Sequence, residues 1–148
     1  MKVLVIGDSC VDEFIYCDIE RICPEAPVPV LKPIRSQQNP GMASNVVTNL
    51  EALGVKVDLV TNISKIKKTR YVDTRSGQMA MRVDENDQCT RYKGVYEIVD
   101  YDAIIISDYC KGFLIEDDGE GNLISSSITS SGGDLNTSLV VGQIFYNQ

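Results

Sequence analysis

The chain has 148 residues, 43% of them hydrophobic, with 14 Lys and Arg against 21 Asp and Glu for a net charge of −7. That length suffices for one domain with its own core, no apolar run is long enough to span a bilayer, and the charge argues against a nucleic-acid groove. There is no histidine, and the five cysteines include no CxxC pair; this excludes Ser-His-Asp and Cys-His catalysis within the chain and His-built zinc sites, and points to reduced thiols in a cytoplasmic protein.

Residues 2–6 (KVLVI) form a continuous β-branched and leucine run that stops at Gly7-Asp8. Such a run suits a strand buried on both faces of a parallel sheet, and it is not a signal peptide. Ligands of open α/β sheets gather at the carboxyl ends of strands, which makes Asp8 and Asp12 the first candidate site residues; turn formation is an equal reading of both. Residues 13–17 and 28–34 read as strands of another kind, flanking a segment whose three prolines (Pro24, Pro27, Pro29) forbid helix and favour an extended edge. A second pair, residues 69–73 and 78–83, flanks the hairpin signal Thr74-Arg75-Ser76-Gly77, with Met79, Met81 and Val83 on one face by alternation. Together they predict a four-stranded antiparallel flap.

Between the two pairs lies NPGMASNVVTNLEALG, residues 39–54, which reads as a glycine turn opening into an amphipathic helix. Ala43, Val46, Val47, Leu50 and Leu53 share one face, and Gly54 sits where a helix stops. Asn45, just inside the first turn, belongs either to an ordinary capped core helix or to a helix start that grips an anion or a hydroxylated ligand. Residues 56–61 (KVDLVT) and 103–106 (AIII) are the second and third buried strands, the latter followed by Asp108. Asp8 or Asp12, Asn45 and Asp108 thus recur at strand ends and helix starts. From about residue 114 the chain is rich in Ser, Gly and acidic residues; it reads as a linker-like tail, with one terminal strand at 139–146.

Four segments in this order, VLVIGDSCVDEFIY, RICPEAPVPVLK, NPGMASNVVTNLEALG and IIISDYCKG, resemble the ribokinase-type (PfkB) carbohydrate kinases, most closely the heptose 7-phosphate kinase domain. The resemblance covers residues 2 to 113, the N-terminal half of that fold. It implies an α/β parallel sheet with helices and a small β lid (about residues 13–35 and 67–84), truncated at the nucleotide-binding half. It also implies phosphoryl transfer from ATP-Mg2+ to a sugar or sugar phosphate, with heptose 7-phosphate favoured. Carried over by position, Asp12 would bond substrate hydroxyls, and Gly41 and Asn45 would line the sugar site. Arg21 and Arg70 would clamp a phosphate from the lid, and Asp108 and Lys111 would stand on the nucleotide side. The partners implied are a small sugar phosphate and a second copy through the lid, with no nucleic acid and no membrane.

Three departures accompany the resemblance. The second of two adjacent family glycines is Met42 here. A further helix and strand of the family are replaced by residues 62–66 alone, too few for a parallel crossover. The family's GAGD motif, which carries the catalytic base, has its nearest counterpart in Ser131-Gly132-Gly133-Asp134, about twenty residues beyond SDYCKG; Asp134 is the base it implies. By itself the chain is then expected to be weakly active or inactive, the alternative being a non-catalytic sugar-binding or dimerisation module. A Rossmann-type nucleotide binder is disfavoured by the lack of a GxGxxG after the first strand.

Overall fold

The computed structural model describes residues 1–92 and 101–114. Asp134, the expected terminal strand at 139–146 and nearly all of the expected tail lie outside the described residues. Strands β1 (Lys2–Gly7), β4 (Lys56–Val60) and β7 (Ala103–Ser107) form a parallel sheet in the order β4-β1-β7. β1 is the middle strand, and Val3, Leu4, Val5 and Ile6 are buried, which is what its unbroken apolar run demands. Each such side chain removed from water contributes about 1.5–3 kcal/mol.

One face of this sheet packs on α1 (Ala43–Ala52) through Val3, Val5, Ala43, Val46, Val47 and Leu50. The other face packs Leu4, Ile6, Val60 and Ile104 on Phe113 and Leu114. α1 ends in a Schellman motif. Val55 N–H donates to Leu50 O at 3.1 Å and Gly54 N–H to Glu51 O at 2.9 Å, with Gly54 at φ 77°. Leu53, expected on the core face, is 79% exposed, because it occupies the C-cap and the backbone has already left the helix.

The second sheet has the order β3-β2-β5-β6, from β2 (Ser9–Ile22), β3 (Pro29–Met42), β5 (Ile66–Asp73) and β6 (Met79–Glu85). It is the expected four-stranded lid, with two differences. β2 and β5 pair in parallel, not antiparallel: β2 continues from β1 and β5 from β4, and since β1 and β4 are parallel their continuations leave the core in one direction. β2 and β3 are each 14 residues long, so Asn39-Pro40-Gly41 is strand rather than turn, with Gly41 opposite Cys10 and Met42 opposite Ser9. Pro40 is tolerated because β3 is an edge strand, where a missing N–H costs no ladder bond. The reversal into α1 falls on Met42 (φ 58°, ψ −129°). No helix among the described residues is long and apolar enough to cross a membrane.

Candidate functional site

A single residue, Asp8, separates β1 of the core from β2 of the lid, and its side chain is fully buried. Its carboxylate accepts backbone N–H bonds from Tyr109 (2.8 Å), Lys111 (3.2 Å) and Phe113 (3.3 Å), and Cys89 Sγ donates to it at 3.6 Å. Asp8 therefore folds the SDYCKG segment over the end of β1, and its four protein donors account for it as an anchor. Burial, with the Asp8 carboxylate adding to it, pushes the Cys89 thiol up to about 11, so this sulfur is not a thiolate nucleophile at neutral pH. Asn62 makes a second anchor that the sequence reading missed. Its amide accepts from Ser9 N–H at 2.7 Å and donates to Ser9 O at 3.1 Å, pairing β2 with the short link that replaces the expected crossover.

Asp12 stands four residues further along β2, where the lid leaves the core. Its Oδ1 accepts from Arg70 Nη1 at 2.6 Å, both side chains being about three-quarters buried. Its Oδ2 lies against Gly41, and a Cβ at Gly41 would overlap that oxygen and Cys10 Sγ. No group among the described residues donates to Oδ2. The carboxylate is thus held by one oxygen and can accept ligand hydroxyls with the other. Gly41 is required by this close approach rather than by a special φ.

Met42 is the residue that pins this corner. Its φ of 58° lies in the left-handed region that favours glycine, at a cost of about 1–3 kcal/mol. Its side chain is buried with Cys10 and Ile66, next to Cys89 and Tyr109. Burial, with the Asp12 carboxylate next, pushes the Cys10 thiol to about 11. Asn45, third in α1, is exposed, and its amide makes no hydrogen bond among the described residues; α1 itself has no side-chain cap.

The other expected site residues divide. Arg70 joins Asp12 and also lies over the Phe14 ring at 5.2 Å. Arg21, nine residues beyond Asp12 on β2 and exposed, is carried roughly 30 Å away at strand rise, so the structure does not bring it to this cluster. Asp108 is buried and accepts from Cys110 N–H at 2.8 Å. Lys111 is buried and paired with Asp87 at 2.7 Å.

β-Sheet register extends the cluster with residues the sequence reading did not select. Across the lid run Asp12–Lys68–Asp84 and Phe14–Arg70–Arg82, all facing one side. Arg82 grips Asp84 through two 2.7 Å bonds, which hold the Asp84 carboxyl below its ordinary value; the charges of Lys68 and Lys111 act in the same sense. The Asp12 face of the lid therefore looks towards the SDYCKG segment. The opposite face carries Glu13, bound by Lys67 at 2.6 Å, Gln38 at 2.9 Å and Thr69 at 3.4 Å. A separate cleft of about 670 Å³ beside Thr61, Ile63, Arg91 and Tyr92 shares no residue with the Asp12 cluster.

No family model matches the chain. Among curated proteins, it is 33% identical to the bifunctional protein HldE of Syntrophotalea carbinolica, the match covering 79% of this chain and 31% of that protein. The HldE of Campylobacter jejuni subsp. doylei is likewise 33% identical, over 76% of this chain and 31% of its own. The chain is a ribokinase-like relative of the HldE proteins. It spans about a third of the length of the curated relatives it matches. The fold is shared with a putative phosphofructokinase from Staphylococcus aureus at TM-score 0.53 and 9% identity, over 95% of this chain and 52% of that one. The first HldE match runs over 153 positions, whereas 79% of 148 is about 117 residues; about 36 positions of the alignment thus have no residue of this chain.

Proposed function

We propose that residues 1–113 form the sugar-binding half of a carbohydrate kinase, with a phosphorylated heptose as the favoured ligand. The observation that carries this reading is the Asp12 carboxylate, held by Arg70 through one oxygen and stacked on Gly41 with the other oxygen open. A carboxylate that accepts two hydroxyl bonds, beside an unengaged amide such as Asn45 at a helix start, is suited to orienting a polyol. Asp8 is a scaffold residue in this reading, since its four donors come from the protein.

The reaction of the full assembly would be phosphoryl transfer from ATP. Among the described residues no group of three acidic or thiol side chains converges to hold a metal ion, and Asp134 lies outside them, so the described residues do not themselves fit an ATP-Mg2+ site. What they supply is substrate positioning. In sequence Asp134 follows SDYCKG after only about twenty residues, where the family pattern places the nucleotide-binding strands and helices; phosphoryl transfer without a positioned base and anion hole loses the terms that provide most of its acceleration. The chain by itself is therefore read as weakly active or inactive. The short link between Thr61 and Ile66, too few residues for a parallel crossover, supports the loss of an internal helix–strand unit.

The second reading, a sugar-binding or pairing module, rests on the outer lid face, where Met81 and Val83 are 44% and 38% exposed; the register shift that pairs Met79 with Val72 takes Met79 off that face. An apolar patch of this kind suits pairing with a second lid. Incubation of the pure protein with ATP-Mg2+ and heptose 7-phosphate should release negligible ADP; turnover of an ordinary kinase would overturn the inactive reading. Sedimentation of the wild type against Met81→Glu checks pairing, which the acidic residue should abolish.

A further inference from the structure

The Asp12 face of the lid contains three cations and two carboxylates. By register Lys68 sits between Asp12 and Asp84, and Arg70 faces Arg82. Each carboxylate is occupied by an arginine, Asp12 by Arg70 and Asp84 by Arg82, as expected where a guanidinium fork competes with an ammonium. Lys68 is left over. It is 8% exposed, yet it forms no ion pair or side-chain hydrogen bond among the described residues. Its charge is felt by the Cys10 thiol on β2 and by the Asp84 carboxyl on β6, which locates it within the face rather than at the rim.

Lys68 Nζ keeps contact with solvent, since it is not among the buried side-chain atoms that lack a partner. With three cations against two carboxylates the face carries one positive charge in excess, and Arg70 and Arg82 stand directly across the ladder, where like charges repel. An anion entering the face would relieve that repulsion. The neighbouring Asp12 oxygen selects for hydroxyls, so the ligand would present both an anionic group and hydroxyls. We propose that Lys68, seconded by Arg70 and Arg82, recognises the phosphate of a phosphorylated sugar bound at Asp12. The proposal rests on the sugar-site reading above and moves phosphate recognition from Arg21 to a residue on β5.

The test is a calorimetric titration of the full chain with a heptose 7-phosphate, the same heptose without phosphate, inorganic phosphate and a non-hydrolysable ATP analogue. Wild type and Lys68→Met are compared, with thermal melting of both. The variant should lose roughly ten- to hundredfold in affinity for the phosphorylated sugar, as for loss of a hydrogen bond to a charged group, and should no longer prefer it over the unphosphorylated sugar. Its melting temperature should stay close to that of the wild type, since Lys68 makes no ion pair or side-chain hydrogen bond among the described residues and its stem is replaced by an apolar one of similar size. An unchanged preference would overturn the proposal, as would an equal loss for both sugars, a loss confined to the ATP analogue, or a lowered melting temperature. Inorganic phosphate separates the two claims. If neither sugar binds but phosphate binding still depends on Lys68, the anion site stands and the sugar reading falls. If the sugar binds through Asp12 and phosphate adds nothing in the wild type, the sugar reading stands and the Lys68 proposal falls.

Discussion

In the parallel sheet, β1 buries four consecutive apolar residues between α1 and Phe113, whereas in the lid every residue of β6 is exposed. The core sheet is held by apolar area removed from water. The lid is held across its strands by charge pairs, Glu13–Lys67 and Asp12–Arg70, with Arg82–Asp84 formed within β6 and Glu20 gripped by Lys32 and Arg75 nearer the tip. Asp8 and Asp12, four residues apart on one continuous stretch, show the same contrast. The first is wholly satisfied by protein donors and fixes a loop. The second keeps an oxygen open. The difference teaches that burial alone does not mark a functional carboxylate; what matters is whether the protein has already used its acceptors.

The contrast breaks most directly at its root. Asp8→Ala leaves the N–H groups of Tyr109, Lys111 and Phe113 without their acceptor and should cost about 3 kcal/mol or more in urea unfolding; a loss below about 1 kcal/mol would show that Asp8 is not the anchor. At the corner between the sheets, Met42→Ala keeps the left-handed backbone and loses the buried side chain, for about 2–5 kcal/mol. Met42→Gly relieves the backbone, so it should be the more stable of the two by about 1 kcal/mol or more; the reverse order would mean that φ at this position is not strained.

Acid should separate the sheets. Hydrogen bonding from Lys67, then from Gln38, lowers the Glu13 carboxyl below its ordinary 4.5. A carboxyl depressed in the folded state stabilises fully above 4.5, and its contribution disappears as pH falls through the lower folded value. Amide exchange in β2, β5 and β6, taken relative to the intrinsic rate at each pH, should therefore accelerate below about pH 4.5 while β1 stays protected. In Glu13→Gln, weakened by roughly 1–2 kcal/mol at neutral pH, that pH dependence should shrink. Equal acceleration in both sheets would contradict the contrast. The smallest effect belongs to Arg75→Ala at the hairpin tip, where an exposed pair with Glu20 should be worth less than about 0.5 kcal/mol by thermal melting.

The core sheet was legible because apolar runs bounded by glycine carry one meaning. The start of α1, its inner face as far as Leu50, and Gly54 as its stop were legible for the same reason, and so was the lid hairpin with Met81 and Val83 on one face; the bulge that pairs Met79 with Val72 and takes it off that face was not. The full length of β2 and β3 was not, because a strand such as SCVDEFIYCDIERI is stabilised by partners on other strands and has no signal of its own. NPG reads locally as a turn, and only the edge position of β3 makes it strand. The parallel pairing of β2 with β5 follows from how both leave the core, which is a tertiary fact. At the candidate site the structure brings Asp12, Gly41 and Arg70 together, with Arg70 bonded to Asp12 where the sequence led to a phosphate clamp, while Lys68 was hidden in the pair Lys67-Lys68. The alternation that sends the first to Glu13 sends the second to the Asp12 face, and register was needed to see what surrounds it.

The central claim is that Asp12 and Gly41 form a sugar site. It is tested most directly by calorimetric titration of a heptose 7-phosphate into the wild type and Asp12→Ala, with folding of both verified by melting. The account predicts saturable binding to the wild type and a loss of roughly ten- to hundredfold in the variant. Equal affinity in the two proteins would contradict it.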